Sequence, residues 1–313
     1  MTTLTDGPVA AFIVGRLSSA RSTFDDVSKE EVAEAWDGPL FERFVRFREI
    51  LTTGLSSHGE AALRRVPPQP GQRALDIGCG FGDESQRIAR MVGPDGDVVG
   101  VDVSSRFVEA CREDAHEAGL TNVRFMAADL QTVDDLGGPY DVAFSRFGTM
   151  FFVSPVAGMR NVRRALRPDG RLVMVVWRRR EDNDWLYRAQ TIVEGIVSRP
   201  EEYDEPTCGP GPFALASADR VCDVLLSAGF GDVELYRCDR PIMIGRELEE
   251  AIDFMTSLGP AGETLRLQGD RAAHLHGRVR AALAEGLSEF ENEDGQIWAP
   301  SSTWIVSATA PRG

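Results

Sequence analysis

Between Gln72 and Trp177 short apolar runs alternate with helical patterns, and no other property of this chain narrows its fold so far. The runs cover residues 73–77, 98–101, 123–128 and 140–145, and residues 85–91, 107–118 and 156–166 read as the helical crossovers. Parallel strands need such a crossover, whereas antiparallel ones close with a tight turn. The alternation therefore predicts an α/β fold with a doubly wound, mainly parallel sheet. The run Asp141-Val142-Ala143-Phe144 has the near-continuous apolar character of a strand buried on both faces.

The first run follows a Pro/Gly-rich boundary, Pro67-Pro68-Gln69-Pro70-Gly71, and ends in Asp76-Ile77-Gly78-Cys79-Gly80-Phe81-Gly82. Its glycines permit a sharp turn and a close approach of bare backbone to a ligand. In a dinucleotide fingerprint the third glycine would fall at Asp83, and here Asp83 and Glu84 bring two negative charges to the start of a helix. A helix dipole favours those charges and a pyrophosphate does not, so the loop suits a cation, an ammonium or a sulfonium. Asp102 ends the second run and is placed to accept ribose hydroxyls; Asp129 follows the third and is placed to accept from an adenine amino group. These three acids point to one crevice at the carboxyl edge of the sheet. Each has a plainer reading: Asp76 as a cap on the glycine turn, Asp102 as a cap on a helix starting at Ser104, and Asp129 in a turn with its own backbone.

Taken together these motifs resemble the class I S-adenosylmethionine-dependent methyltransferases of small-molecule type, similar to the ubiquinone/menaquinone C-methyltransferase group. The likeness rests on residues 76–82, on Gly100-Val101-Asp102-Val103-Ser104, on Ala128-Asp129-Leu130 and on residues 165–172, and covers roughly residues 60–178. It implies a seven-stranded sheet, with a sixth strand at 233–238 and a last, antiparallel strand at 303–309. It implies S-adenosylmethionine as cofactor, held by Trp36, Asp76, Gly78, Gly80, Asp102, Val103, Phe107, Asp129, Leu130 and Ser145. The segment after the fourth strand, with Phe147, Met150 and Phe151, would meet the acceptor. Trp36 with Phe41, Phe44 and Phe47 also reads as the buried stripe of a helix, Phe107 as core, and the aromatics after the fourth strand as core. His58 is the best histidine for a base, although it reads more simply as an exposed helix end.

The implied organisation is an N-terminal helical segment over the cofactor (1–66), an α/β core (67–178) and a remainder (179–313) that completes the core and inserts a helical cap before the last strand. The cap would comprise residues 185–212 and helices at 248–258 and 272–287; apart from it, a helix at 218–228 ends at Gly229. Arg178-Arg179-Arg180 reads as a solvated turn and residues 289–294 as a solvated acidic loop. At 313 residues, 42% apolar and 27% charged, the composition supports a packed core, and the net charge of −15 argues against nucleic acid. The five cysteines and four histidines form no metal-like cluster. The apolar stretch 9–14 is too short for a signal core and no run reaches membrane length, so a soluble cytoplasmic protein is expected. Its partner would be a small-molecule methyl acceptor, with a homodimer possible. Methylation of a secondary metabolite or quinone-like ring is the leading function; a non-methylating reaction such as cyclisation, or non-catalytic binding, uses the same fold.

Overall fold

A computed structural model describes residues 29–197, 211–268 and 273–312. The apolar stretch 9–14, Cys208 and most of the 201–212 loop lie outside them. Helices α1 (Lys29–Asp37) and α2 (Pro39–Arg46), a π-helical turn (Ile50–Gly54) and α3 (Ser56–Arg65) precede β1 (Arg73–Ile77). There follow α4 (Asp83–Val92), β2 (Asp97–Asp102), α5 (Ser105–Glu117), β3 (Val123–Ala127), β4 (Tyr140–Arg146), α6 (Pro155–Ala165) and β5 (Leu166–Trp177). Beyond these come α7 (Asp184–Glu194), α8 (Ala218–Ser227), β6 (Gly231–Gly245), α9 (Leu248–Ser257), α10 (Pro260–Gln268), α11 (His276–Leu287) and β7 (Ile297–Thr309).

The described chain divides into two compact units, and residues 56–179, 211–238 and 303–312 make the first. Its sheet runs β3-β2-β1-β4-β5-β7-β6. β1 pairs in parallel with β2 and β4, β2 with β3, and β4 with β5; β7 is antiparallel to β5. Strand order reverses between β1 and β4, the position at which open α/β sheets hold ligands. Ala62, Leu63 and Val66 of α3 and its exit and Ile88, Ala89 and Val92 of α4 cover Ala74, Val98, Val142, Phe144, Val173, Val175 and Ile305. Residues 56–66 therefore belong with the sheet, because their apolar side chains fill one of its faces. Val108, Cys111 and Ala115 of α5 pack on Cys79 and Phe125 in a second cluster.

The second unit comprises residues 29–55, 180–197, 239–268 and 273–302. Its core is helical: Trp185 of α7 stacks on Phe254 of α9 at 6.2 Å, and Phe47 meets the same Phe254 edge-on at 5.2 Å. Gly286 of α11 lies so close to Ile192 that a Cβ would come within 2.3 Å of its Cδ1. The inserted region holds α10 in addition to the two helices expected; the final one runs from His276, and the expected start at 272 lies outside the described residues. The Arg178 guanidinium lies 4.4 Å over the Trp304 ring in the sheet unit, so the arginine run is not simply a solvated turn. Among the described residues no helix is long and apolar enough to cross a membrane, and no group of three or more His, Cys, Asp or Glu is placed to hold a metal ion.

Candidate active site at the carboxyl edge of the sheet

The loop leaving β1 is anchored by its own backbone. Gly78 and Cys79 both donate to the Val101 carbonyl at the end of β2, at 2.8 and 3.0 Å, and Gly82 donates back to Cys79. Gly78, Gly80 and Gly82 have φ values of 65°, 53° and 73°, which residues with a Cβ seldom adopt. Their surroundings differ. A Cβ on Gly78 would meet Gly148 Cα at 2.9 Å, and one on Gly82 would meet Cys111 Sγ at 2.9 Å and the Phe125 ring. A Cβ on Gly80 would meet nothing within 4 Å. Two glycines thus serve packing, and Gly80 alone of the three presents bare backbone to open space.

Acids stand at or near the ends of the strands that meet here. Asp102 accepts from Gly80 N through Oδ2 at 2.9 Å and from Ser104 N through Oδ1 at 3.0 Å, so its carboxylate is fixed against the loop. Ser104 in turn caps α5, accepting from Phe107 N. Asp76 is 2% exposed and accepts from Ser85 Oγ at 2.5 Å rather than capping the glycine turn. Burial pushes its carboxyl up to about 7, with Glu84 and Asp83 adding to the rise, and Ser85 and Arg146 opposing it. Ala128 N donates to the Asp102 carbonyl, which brings the exit of β3 beside that of β2. Asp129 there accepts from Gln131 N at 2.8 Å and Gln131 Nε2 at 3.0 Å, the turn contact its plainer reading gave it.

Asp83 and Glu84 are not turned to a ligand in the way their place at a helix start suggested. Arg146, at the end of β4, takes both: its guanidinium lies 2.8 Å from Asp83 Oδ2 and 2.8 Å from Glu84 Oε1. Burial still raises the Glu84 carboxyl. Arg146 had no assigned role in the sequence, because only the β1–β4 neighbour relation brings it to the start of α4.

The remaining candidates divide by exposure. Val103 is half-buried beside Asp102. Phe107 is buried and packs edge-on against Phe81 of the glycine loop at 4.9 Å. Leu130 and Ser145 are buried; Ser145 Oγ donates to the Ile77 carbonyl and ties β4 to β1. Met150 is also buried, its sulfur accepting from Trp177 N at 3.4 Å, whereas Phe147 and Phe151 are half-buried. Trp36 lies in the helical unit, edge-on to Phe44 at 5.2 Å, with Phe41 and Phe47 buried nearby in sequence. His58, read as an exposed helix end, is instead completely buried, its Nδ1 3.0 Å from Thr303 Oγ1.

Nocamycin O-methyltransferase of Saccharothrix syringae is 31% identical over 64% of this chain and 68% of its own length. The chain belongs to the S-adenosylmethionine-dependent methyltransferase family. The family model described as "Methyltransferase domain" matches residues 68–210 of the chain. The ubiquinone/menaquinone C-methyltransferase UbiE of Ectopseudomonas mendocina is 32% identical over 49% of the chain and 61% of its own length. In fold the chain is similar to Haemonchus contortus phosphoethanolamine N-methyltransferase 2, with a TM-score of 0.52 and 17% identity over 94% of this chain and 61% of that one. The chain spans 35% to 68% of the lengths of the first curated relatives it matches. The family's cofactor carries an ammonium, a sulfonium and a ribose diol. The edge of this sheet offers chemistry to match: a fixed carboxylate, Asp102, bonded to the N–H of a glycine whose Cβ position is open, and a buried one, Asp76, in the strand that leads into the loop.

Proposed function

We propose that this methyltransferase transfers a methyl group from S-adenosylmethionine to a small apolar or aromatic molecule. The observation that carries the reading is the open Cβ position of Gly80, whose N–H is held by Asp102 at the end of β2. Asp102, held in place by two backbone N–H groups, would accept the ribose hydroxyls, with Val103 against the sugar. Asp76 would receive the cofactor's cationic end and Asp129 its adenine amino group. Gly78, Phe107, Leu130 and Ser145 would act from beneath, shaping the loop and strand ends rather than touching the ligand. The half-buried Phe151 gives the acceptor side an aromatic character.

When bound, the cofactor supplies an electrophilic methyl on a sulfonium, which leaves by in-line displacement. The chain's own task is alignment in a place with little water. Relatives named as an O-methyltransferase and as a C-methyltransferase both match this chain, so the likeness leaves the methylated atom open. Asp102→Ala should weaken S-adenosylmethionine binding by about tenfold or more, the worth of a charged hydrogen bond; calorimetry on the variant and the parent measures it. Unchanged affinity rejects the ribose assignment. Formation of S-adenosylhomocysteine in a panel of aromatic and quinone-like acceptors would support methyl transfer. Tight binding without turnover across that panel would favour a non-methylating reaction.

A further inference from the structure

Phe147 has a φ of 61°, in the left-handed region. For a residue with a Cβ that conformation is disfavoured roughly tenfold or more, and it persists only where the surroundings over-determine it. Here they do. The Phe147 ring stacks on Trp177, at the end of β5, with centroids 4.0 Å apart and planes 13° from parallel. The His58 ring meets both edge-on, at 6.2 Å from Phe147 and 5.7 Å from Trp177. The two edge-on separations fall in the favourable range for aromatic pairs, and the stacked pair is closer still. His58 is fixed in its turn: Thr303 Oγ1 on β7 lies 3.0 Å from its Nδ1 and donates to the Cys238 carbonyl at 3.3 Å. Phe147 N donates to the Val175 carbonyl at 3.0 Å.

What this arrangement holds is visible one residue further on. Gly148 lies against the cofactor loop, where a Cβ on it would come within 2.7 Å of the Ile77 carbonyl oxygen and 3.0 Å of Gly78 Cα. Backbone meets backbone with no side chain between, so a change of φ at Phe147 must either part Gly148 from Gly78 or move the loop. We propose that His58, Trp177 and Thr303 form a bracket that holds Phe147 in its left-handed conformation and, through the Gly148–Gly78 contact, sets the glycine loop for the cofactor. His58 is then a positioning residue and not a general base. The proposal rests on the reading of that loop as the cofactor's.

The test separates the ring from the backbone. Phe147→Gly adopts a positive φ without strain and needs no bracket; Phe147→Ala keeps a Cβ and loses the ring. With S-adenosylhomocysteine as the calorimetric probe on the full chain, Phe147→Gly should bind within about twofold of the parent and Phe147→Ala about tenfold more weakly. His58→Gln should weaken binding several-fold in the parent and leave Phe147→Gly unaffected. A purely structural role for these rings would make the glycine variant at least as poor as the alanine one. Equal losses in the two variants at position 147, or the same loss from His58→Gln in both backgrounds, overturn the bracket. Should His58→Gln fail to fold, the Gly/Ala comparison at position 147 decides alone. If the parent itself does not bind the probe, the cofactor reading falls and the bracket with it; if the parent binds and the pattern is absent, only the bracket falls.

Discussion

At the scale of single residues, Asp76 combines burial with a carboxyl raised from 3.8 to about 7. In the unfolded chain it loses its proton near the lower value, so between roughly pH 4 and 7 the folded state binds more protons. Stability from this group therefore falls as pH rises through that window and levels off above it. Asp76→Asn should flatten that part of a plot of thermal midpoint against pH. Ser85, Asp83, Glu84 and Arg146 share the site, and Asn at position 76 leaves their pairing intact. A cationic ligand beside Asp76 favours its ionised form, so binding of S-adenosylmethionine near pH 7 should release a proton. Calorimetry in buffers of different ionisation heat measures that release, and Asp76→Asn should abolish it. The sequence made Asp76 and Asp102 legible because each ends an apolar run. It misplaced the charge of Asp83 and Glu84 because their partner, Arg146, is 62 residues from Glu84 along the chain. It also read His58 as exposed, since a lone histidine between Ser57 and Gly59 carries no sign that Thr303 and two aromatic rings enclose it.

The strands and crossovers of the parallel region follow the apolar periodicity closely, since strands covered on both faces leave an almost unbroken apolar run. The later elements were harder to read. β6 and β7 are longer than the apolar runs that announced them, because their remaining residues mix polar side chains and, in β7, Pro300, which strands tolerate only where its missing N–H is not needed. α10 was not among the helices expected, although its Pro260 suits the first turn of a helix. Two substitutions test how firmly these elements are locked. Phe144→Ala in β4 should cost about 3–5 kcal/mol by leaving a cavity under α3 and α4, measured by denaturant unfolding. Gly148→Ala should both destabilise the fold and weaken cofactor binding, because the added methyl meets the Ile77 carbonyl and Gly78 Cα. Unaltered binding in that variant would mean that the loop tolerates displacement.

On the scale of the whole molecule, the chain passes between its two units after Leu55, Arg179, Cys238 and Ser302, and residues 180–197 and 211–238 belong to different units, so neither unit is one continuous segment. Domain boundaries drawn from motifs along the sequence could not show this, because the segments are sorted by packing. The place of β7 in the sheet has a consequence for the order of synthesis. It is the last strand described, yet it stands between β5 and β6. While the chain is being made, β5 must wait with one edge unpaired, and β6 emerges with no neighbour to join. A chain ended after Ser302 should remain in that waiting state, with an open apolar edge that favours self-association; its soluble fraction should fall sharply beside that of the full chain. The sheet is thus closed from the middle of its far edge, by residues that leave the ribosome after every other strand is already outside.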